Sequence, residues 1–342
     1  MSDNILKISV IGTGSWGTAL GVLLAKKGHD VTFCSMTEQK YRELCEKHEN
    51  VTALPGVKLP ENVNFTMDME EAVKGSDCII FSVASVFTRE IAQRMEPYVD
   101  EGQIIVSVGK GIEENSFLML EGVIKDEIPR ADVAVLSGPS HAEEVGRGIP
   151  TTCVIGAETK ETALFLQNLF MSDSFRVYIN PDMLGISLGG ALKNIIALAA
   201  GIADGLGYGD NTKAALITRG IAEISRLGVA MGAHPATFSG LTGIGDLIVT
   251  CASMHSRNRK AGILIGQGKS LEEAQKEVSM VVEGVYAAKA AKQLADKYGV
   301  EMPIVNEVNK VLFDGKDPAE AVMDLMLRDN VIESEDISWG ER

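Results

Sequence analysis

Lys193 lies in Gly189-Gly190-Ala191-Leu192-Lys193-Asn194, inside a run from Pro181 to Gly207 that is apolar on nearly every face. Leu184, Ile186, Leu188, Leu192, Ile195, Ile196, Leu198 and Ile202 all belong to it. A helix that is hydrophobic all round is normally buried. An ammonium buried with it must be paired, reach water along its stem, or have its pKa lowered. A lysine whose pKa falls toward neutrality can both donate and accept protons. On the helix alone, a lysine that keeps its charge in water is the simpler reading. Other groups give reasons to go further. Lys110 stands between Gly109 and Gly111, a cation on closely approachable backbone. Asp246 follows Gly243-Ile244-Gly245, a carboxylate flanked by flexible chain. Ser256-Arg257-Asn258-Arg259 precedes a helical run, with Ser256 as its expected N-cap. Two arginines and free amides at a helix start suit a phosphate. Taken singly, a loop lysine and a solvated basic turn explain these features as well.

The N-terminus sharpens the picture. Ile5–Ile11 reads as a buried strand, Gly12-Thr13-Gly14-Ser15-Trp16-Gly17 follows at once, and Thr18–Lys27 reads as a helix stopped by Gly28. Strand, GxGxxG and helix together are the setting of a dinucleotide phosphate site. Gly12 permits the turn, Gly14 admits the pyrophosphate, and Gly17 lets the helix pack on the strand. An acid at the end of the second strand would favour NAD, and an arginine would accommodate NADP. Asp30–Ser35 is followed by Met36 and Thr37, which supply neither. Ser35 and Thr37 can bond either cofactor, and Lys40 is placed to reach a phosphate.

The elements that must position these groups alternate. Strands are expected at Asp77–Val83, Gln103–Val108, Asp132–Leu136, Thr151–Ile155 and Phe175–Tyr178, with helices at Glu90–Tyr98 and Ser116–Ile128. That alternation predicts an α/β fold with a largely parallel sheet, and ligands gather at its carboxyl edge. The turns Ser82-Val83-Ala84-Ser85, Gly109-Lys110-Gly111 and Ser137-Gly138-Pro139-Ser140-His141 fall there. Beyond Asn180-Pro181 strand signals fade. A boundary is therefore expected near 181, with residues 1–181 forming the dinucleotide-binding domain and 182–342 an all-helical one. Thr212–Gly232 reads as a second long helix, Ser270–Glu273 as a capping box, and Glu283 opens a further helix where it complements the dipole.

The chain has 342 residues and a net charge of −15, with pI near 4.9. That balance argues against nucleic-acid binding and against adhesion to anionic membrane. An anionic substrate needs a local positive pocket. The long apolar helix is too polar and glycine-broken to be read as a membrane span, so no stable membrane insertion is expected. Cys34, Cys45, Cys78, Cys153 and Cys251 are scattered, which points to reduced thiols in a cytoplasmic protein. The five histidines lack metal-ligand spacing, so no metal site is expected.

In order and spacing these motifs, with Phe175-Arg176-Val177-Tyr178 and Val282-Glu283-Gly284, resemble the NAD(P)-dependent glycerol-3-phosphate dehydrogenase family of bacterial type over essentially the whole chain. The resemblance implies a Rossmann-type domain followed by a helical domain, with the site between them. It implies that Lys193 is the proton donor and acceptor, assisted by Lys110 and Asp246. Gly138, Ser140, Ser256, Arg257 and Asn258, with those three, match substrate-binding positions. Ser15, Trp16, Lys110, Ala142, Arg257, Val281 and Glu283 match cofactor-binding positions. Met36 departs from the family, where many members carry arginine or another polar residue. The implied reaction is reversible reduction of dihydroxyacetone phosphate to sn-glycerol 3-phosphate by NAD(H) or NADP(H), feeding glycerophospholipid synthesis. A homodimer is expected from the prevalence of twofold assemblies. Two other readings stay open: a dehydrogenase of a 3-hydroxy acid or phosphosugar acid, and a non-catalytic NAD(H) sensor.

Overall fold

The computed structural model describes residues 4–278, 280–330 and 332–333. Its first half is an eight-stranded sheet: β1 (Lys7–Ile11), β2 (Asp30–Cys34), β3 (Val63–Thr66), β4 (Cys78–Phe81), β5 (Ile104–Ser107), β6 (Asp132–Ser137), β7 (Thr151–Gly156) and β8 (Phe175–Ile179). The spatial order is β3-β2-β1-β4-β5-β6-β7-β8. Strands such as Cys78-Ile79-Ile80-Phe81 are apolar throughout because helices cover both faces of the sheet. Strand order reverses between β1 and β4, which opens a crevice at their carboxyl ends. Register keeps those ends level. Ile11 pairs with both Cys34 and Phe81, and Phe81 pairs with Ser107. The turns after β1, β4 and β5 therefore lie side by side.

Several expected elements differ in detail. The pair β6–β7 is antiparallel, while every other pair is parallel. A parallel return needs a crossover to the far edge. The link Gly138–Pro150 holds only the short Ala142–Gly146 helix, so the chain turns straight back. Strand β3 and the helices Glu38–Lys47 and Met69–Val73 were not anticipated. The helix expected from Ser116 starts at Leu120, because Phe117 has φ 61° and an Ile112–Met119 bridge closes a turn before it. The helix expected over Glu90–Tyr98 runs from Thr88 to Met95 and tightens into a 3₁₀ turn at Glu96–Tyr98, over Pro97.

The second half is built on the Met183–Gly205 helix, of which nineteen of 23 residues are buried. It is long and apolar enough to cross a bilayer, yet 94% of its most apolar window is inside the protein, as befits a core helix. Asp210–Ala230, Arg257–Gly266 and Glu283–Tyr298 pack around it. Its contact with Arg257–Gly266 is backbone to backbone. A Cβ on Gly201 would stand 2.1 Å from the Arg259 carbonyl oxygen, and one on Gly205 2.3 Å from that of Ile263. On the facing helix, a Cβ on Gly262 would stand 2.2 Å from the Leu198 carbonyl oxygen, and one on Gly266 2.3 Å from that of Ile202. Only glycine fits at these four points.

Candidate active site

The central helix carries Lys193 into the wall of a cleft between the sheet edge and the helical half. The residue is only 6% exposed. Asp246 enters from the facing side. The chain reaches it through a π-helical turn, Leu241–Gly245, whose Gly245 N–H donates to the Gly240 carbonyl at 3.2 Å. Such wide turns re-aim side chains and recur at functional sites. Asp246 Oδ1 accepts from Lys193 Nζ, and Oδ2 accepts from Lys110 Nζ at 2.6 Å. Lys193 also donates to Thr250 Oγ1 at 2.7 Å, and that hydroxyl donates to the Asp246 carbonyl at 2.6 Å. Lys110 donates further to the Gly138 carbonyl at 3.0 Å, which also accepts from Ser140 Oγ at 3.0 Å.

Two ammoniums thus share one carboxylate in a buried place. Burial pushes the Lys193 pKa down to about 8, with Lys110 adding to the fall and Asp246 opposing it. Burial pushes Asp246 upward, but Lys110 and Lys193 outweigh it and hold the carboxyl below its ordinary range. The group keeps one excess positive charge, suited to an anion or a developing negative charge.

The cleft encloses about 460 Å³ and is lined by Gly14, Ser15, Trp16, Lys110, Ser140, Ala142, Lys193, Ser256, Arg257, Asn258, Val281 and Glu283 among others. Of the remaining expected residues, Gly12 and Gly17 lie inside the turn and Asp246 lies behind its lysines. Gly138 contributes its carbonyl. Gly12 has φ 93°, and a Cβ there would meet the Ser82 carbonyl oxygen at 2.5 Å. At Gly17 a Cβ would meet the Gly12 carbonyl oxygen at 2.5 Å, whereas at Gly14 it meets nothing within 4 Å. Gly14 thus leaves open space at the start of the Ser15–Lys26 helix, where no side chain caps the amides. That is what a dinucleotide pyrophosphate needs.

The structure corrects four expectations. Arg259 turns from the cleft to Asp204, donating at 2.8 and 2.7 Å, so Arg257 alone of the two arginines lines the site. Lys40 is engaged by Asn50 at 2.7 Å and Glu43 at 3.0 Å rather than held free for a phosphate. Ser35 is buried beside Thr13, hydroxyl to hydroxyl at 3.3 Å, and braces the glycine turn instead of lining the cleft. Glu283 does more than complement a dipole. It accepts from Ser85 N–H at 3.1 Å and from Ser85 Oγ, clasping the two halves across the cleft. Burial raises its pKa, and the Ser85 bonds oppose the rise.

Ser256 caps its helix as expected, accepting from Arg259 N–H at 3.2 Å. Asn258 serves partly as a strut. Its Nδ2 donates to Asn194 Oδ1 at 3.0 Å and its Oδ1 accepts from Gly284 N–H at 2.8 Å, which leaves one amide hydrogen for a ligand. Thr250, Asn194 and Ser85 were missed. Thr250 had a local signal, four residues after Asp246 and so on the same helix face, and Ser85 stood in a turn expected at the ligand edge.

Comparison with known proteins gives one answer. Residues 7–163 match the family model of the NAD-dependent glycerol-3-phosphate dehydrogenase N-terminus, and residues 182–323 match that of its C-terminus. A glycerol-3-phosphate dehydrogenase, NAD(P)+, of Agathobacter rectalis is 62% identical, over 97% of this chain and 99% of its own length. One from Fusobacterium nucleatum is 57% identical, over 98% of this chain and 100% of its own. The crystal structure of glycerol-3-phosphate dehydrogenase from Coxiella burnetii superposes with a TM-score of 0.92 at 37% identity, covering 95% of this chain and 99% of that one. The two lysines sharing Asp246, the open glycine turn and these likenesses lead to one conclusion: the chain belongs to the NAD-dependent glycerol-3-phosphate dehydrogenase family.

Proposed function

We propose that this chain interconverts dihydroxyacetone phosphate and sn-glycerol 3-phosphate with NAD(H) or NADP(H), supplying glycerol 3-phosphate for glycerophospholipid synthesis. One observation carries the reading. Lys193, buried and sharing Asp246 with Lys110, faces the same cleft as Arg257 and the open glycine turn. When bound, reduced nicotinamide supplies the hydride that converts the C2 carbonyl to an alcohol. Lys193 as ammonium gives its proton to the C2 oxygen as negative charge gathers there, and as amine it takes the proton back in reverse. Asp246 and Thr250 fix the direction of Nζ and support its charged form. Lys110 adds positive potential over the reacting oxygen. Ser256, Arg257 and Asn258 hold the phosphate away from the reacting carbon, with Gly138 and Ser140 completing the substrate pocket. That remote grip orients the substrate. Ser15, Trp16, Ala142, Val281 and Glu283 line the cofactor's share of the cleft, and Gly12, Gly14 and Gly17 shape its phosphate turn.

The assignment divides the chain near residue 181, between β8 and the central helix, into a cofactor-binding half and a substrate-binding half. A homodimer and a cytoplasmic location belong to the same reading. The five cysteines, all free, suit a reducing compartment. The test is loss of reduced-nicotinamide absorbance on adding dihydroxyacetone phosphate, with NADH and NADPH in parallel. Rapid oxidation of either is expected. Cofactor binding with no turnover of this substrate would move the protein to the hydroxy-acid dehydrogenases or to the sensor.

A further inference from the structure

Two imidazoles in the cleft wall have no part in the account above. His141 follows Ser140 in the loop after β6, and His255 precedes Ser256 at the start of the Arg257–Gly266 helix. They come from opposite halves of the molecule, and both line the cleft. Their ring centroids are 5.6 Å apart at an angle of 54°. Nε2 of His141 is buried without a hydrogen-bond partner. Such a nitrogen costs free energy until a ligand or water supplies a partner. Glu143, on the same wall, places Oε1 3.8 Å from His255 Nδ1. A carboxylate beside an anion subsite repels a phosphate unless a cation answers it.

We infer that His141 and His255 close the outer side of the phosphate subsite, and that a doubly charged phosphate entering beside Arg257 draws a proton onto this pair. The inference rests on the dehydrogenase reading. The charges facing the pair are Lys193 and Arg257 from the helical half, with Asp246 behind Lys193. From the sheet half come Lys110 and Glu143, and Glu283 is committed to Ser85. Without substrate, burial and then Lys193 hold His141 below its ordinary range, so its ring is neutral at pH 7. A phosphate dianion next to Glu143 reverses the local balance. The imidazolium becomes the favoured form, and both its nitrogens become donors. A substrate without phosphate lacks the charge that protonates the pair. It meets a neutral His141 ring and gains no charge-assisted bond from it.

The experiment is calorimetric titration of sn-glycerol 3-phosphate into protein saturated with reduced cofactor, a combination that cannot react. It is run at pH 7.5 in two buffers of different ionisation enthalpy. Phosphate monoesters have a second pKa of about 6, so the ligand is already a dianion and any proton taken up belongs to the protein. Wild type is expected to take up a measurable fraction of a proton per phosphate bound. His141→Gln and His255→Gln each bind about tenfold more weakly, the loss of one charge-assisted bond, and take up less. In turnover, the same variants raise KM for dihydroxyacetone phosphate by more than they lower kcat. Uptake that persists undiminished in both variants assigns the proton to Lys193 and overturns the inference. So does affinity within twofold of wild type in both. Wild type that binds cofactor but never turns over dihydroxyacetone phosphate is a separate outcome. It removes the dehydrogenase reading and the pair's role with it.

Discussion

At the scale of single residues, the site turns on how Asp246 divides itself. Each oxygen takes one lysine, so neither ammonium is buried unpaired, and the pair stays charged enough to act on an anion. Lys193→Ala removes the proposed proton donor and is expected to lower kcat by roughly 10²–10⁴-fold with the fold intact. Near-normal turnover in that variant would take Lys193 out of the chemistry. The lowered pKa sets the pH profile. Oxidation of sn-glycerol 3-phosphate needs Lys193 as the neutral acceptor, so its kcat should rise as pH increases through about 8. Reduction needs the ammonium and should fall over the same interval. Initial rates in both directions from pH 6 to 10 check this, and profiles that move together would contradict the assignment. Lys193 was legible from sequence because a cation in an apolar helix is an anomaly on its own. Asp246 carried a signal in its glycine flanks. Glu283 and Ser85 are 198 positions apart, and nothing local announces that they meet. His141 read only as one residue of a polar turn, since its meaning lies in a ring from the other half.

At the scale of elements, the decisive contact is the crossing of the Met183–Gly205 and Arg257–Gly266 helices. One carries Lys193 and the other begins with Arg257, so on the proposed roles this crossing sets the backbone separation between proton donor and phosphate grip. Gly262→Ala places a methyl 2.2 Å from the Leu198 carbonyl oxygen, and backbone cannot step aside. The helices must part, at about 1–3 kcal/mol or more. The melting temperature should fall by roughly 3–10 °C, and KM for dihydroxyacetone phosphate should rise as Arg257 is displaced. Unchanged melting and KM would show that the crossing tolerates a side chain. The apolar run of the central helix made the element plain in the sequence. Its glycines read only as interruptions, because what they approach is brought in by a segment some sixty residues later. The reversed strand β7 was likewise hidden. Its residues are those of any buried strand, and only the shortness of the link before it fixes its direction.

At the scale of the whole molecule, the two halves meet over buried polar groups as well as apolar ones. Glu121, on the first turn of the Leu120–Glu127 helix, is buried beside Ser187 of the central helix. Burial pushes its pKa up to about 7 from 4.5. A carboxyl raised on folding contributes stability that is full below its unfolded pKa and lost as pH rises through the folded one. The shift corresponds to roughly 3 kcal/mol between those limits. Glu121→Gln should therefore melt close to wild type at pH 5 and gain on it at pH 8. Thermal melts of both proteins at the two pH values test this, and a gap that does not change with pH would refute it. That a sheet half precedes a helical half was legible because strand signals fade beyond Asn180-Pro181. The cleft between them came only through the family resemblance, since its lining runs from Gly14 to Glu283 and no local stretch contains it.

The glycine crossing also works as a fixed gauge. Where two helices rest on side chains, trading leucine for alanine or phenylalanine can slide one against the other in small steps, and a pocket can lengthen or shorten gradually. Here the stop is main chain against main chain, already at closest approach, so the backbones that carry Lys193 and Arg257 cannot be brought nearer. They can be parted only in one coarse step, by the first methyl group added. On the proposed roles, a chain built this way holds its proton-donating helix and its phosphate-binding helix at one separation. Changes in acceptance should come instead from groups at the cleft's rim, where a ring can be exchanged without moving the helices.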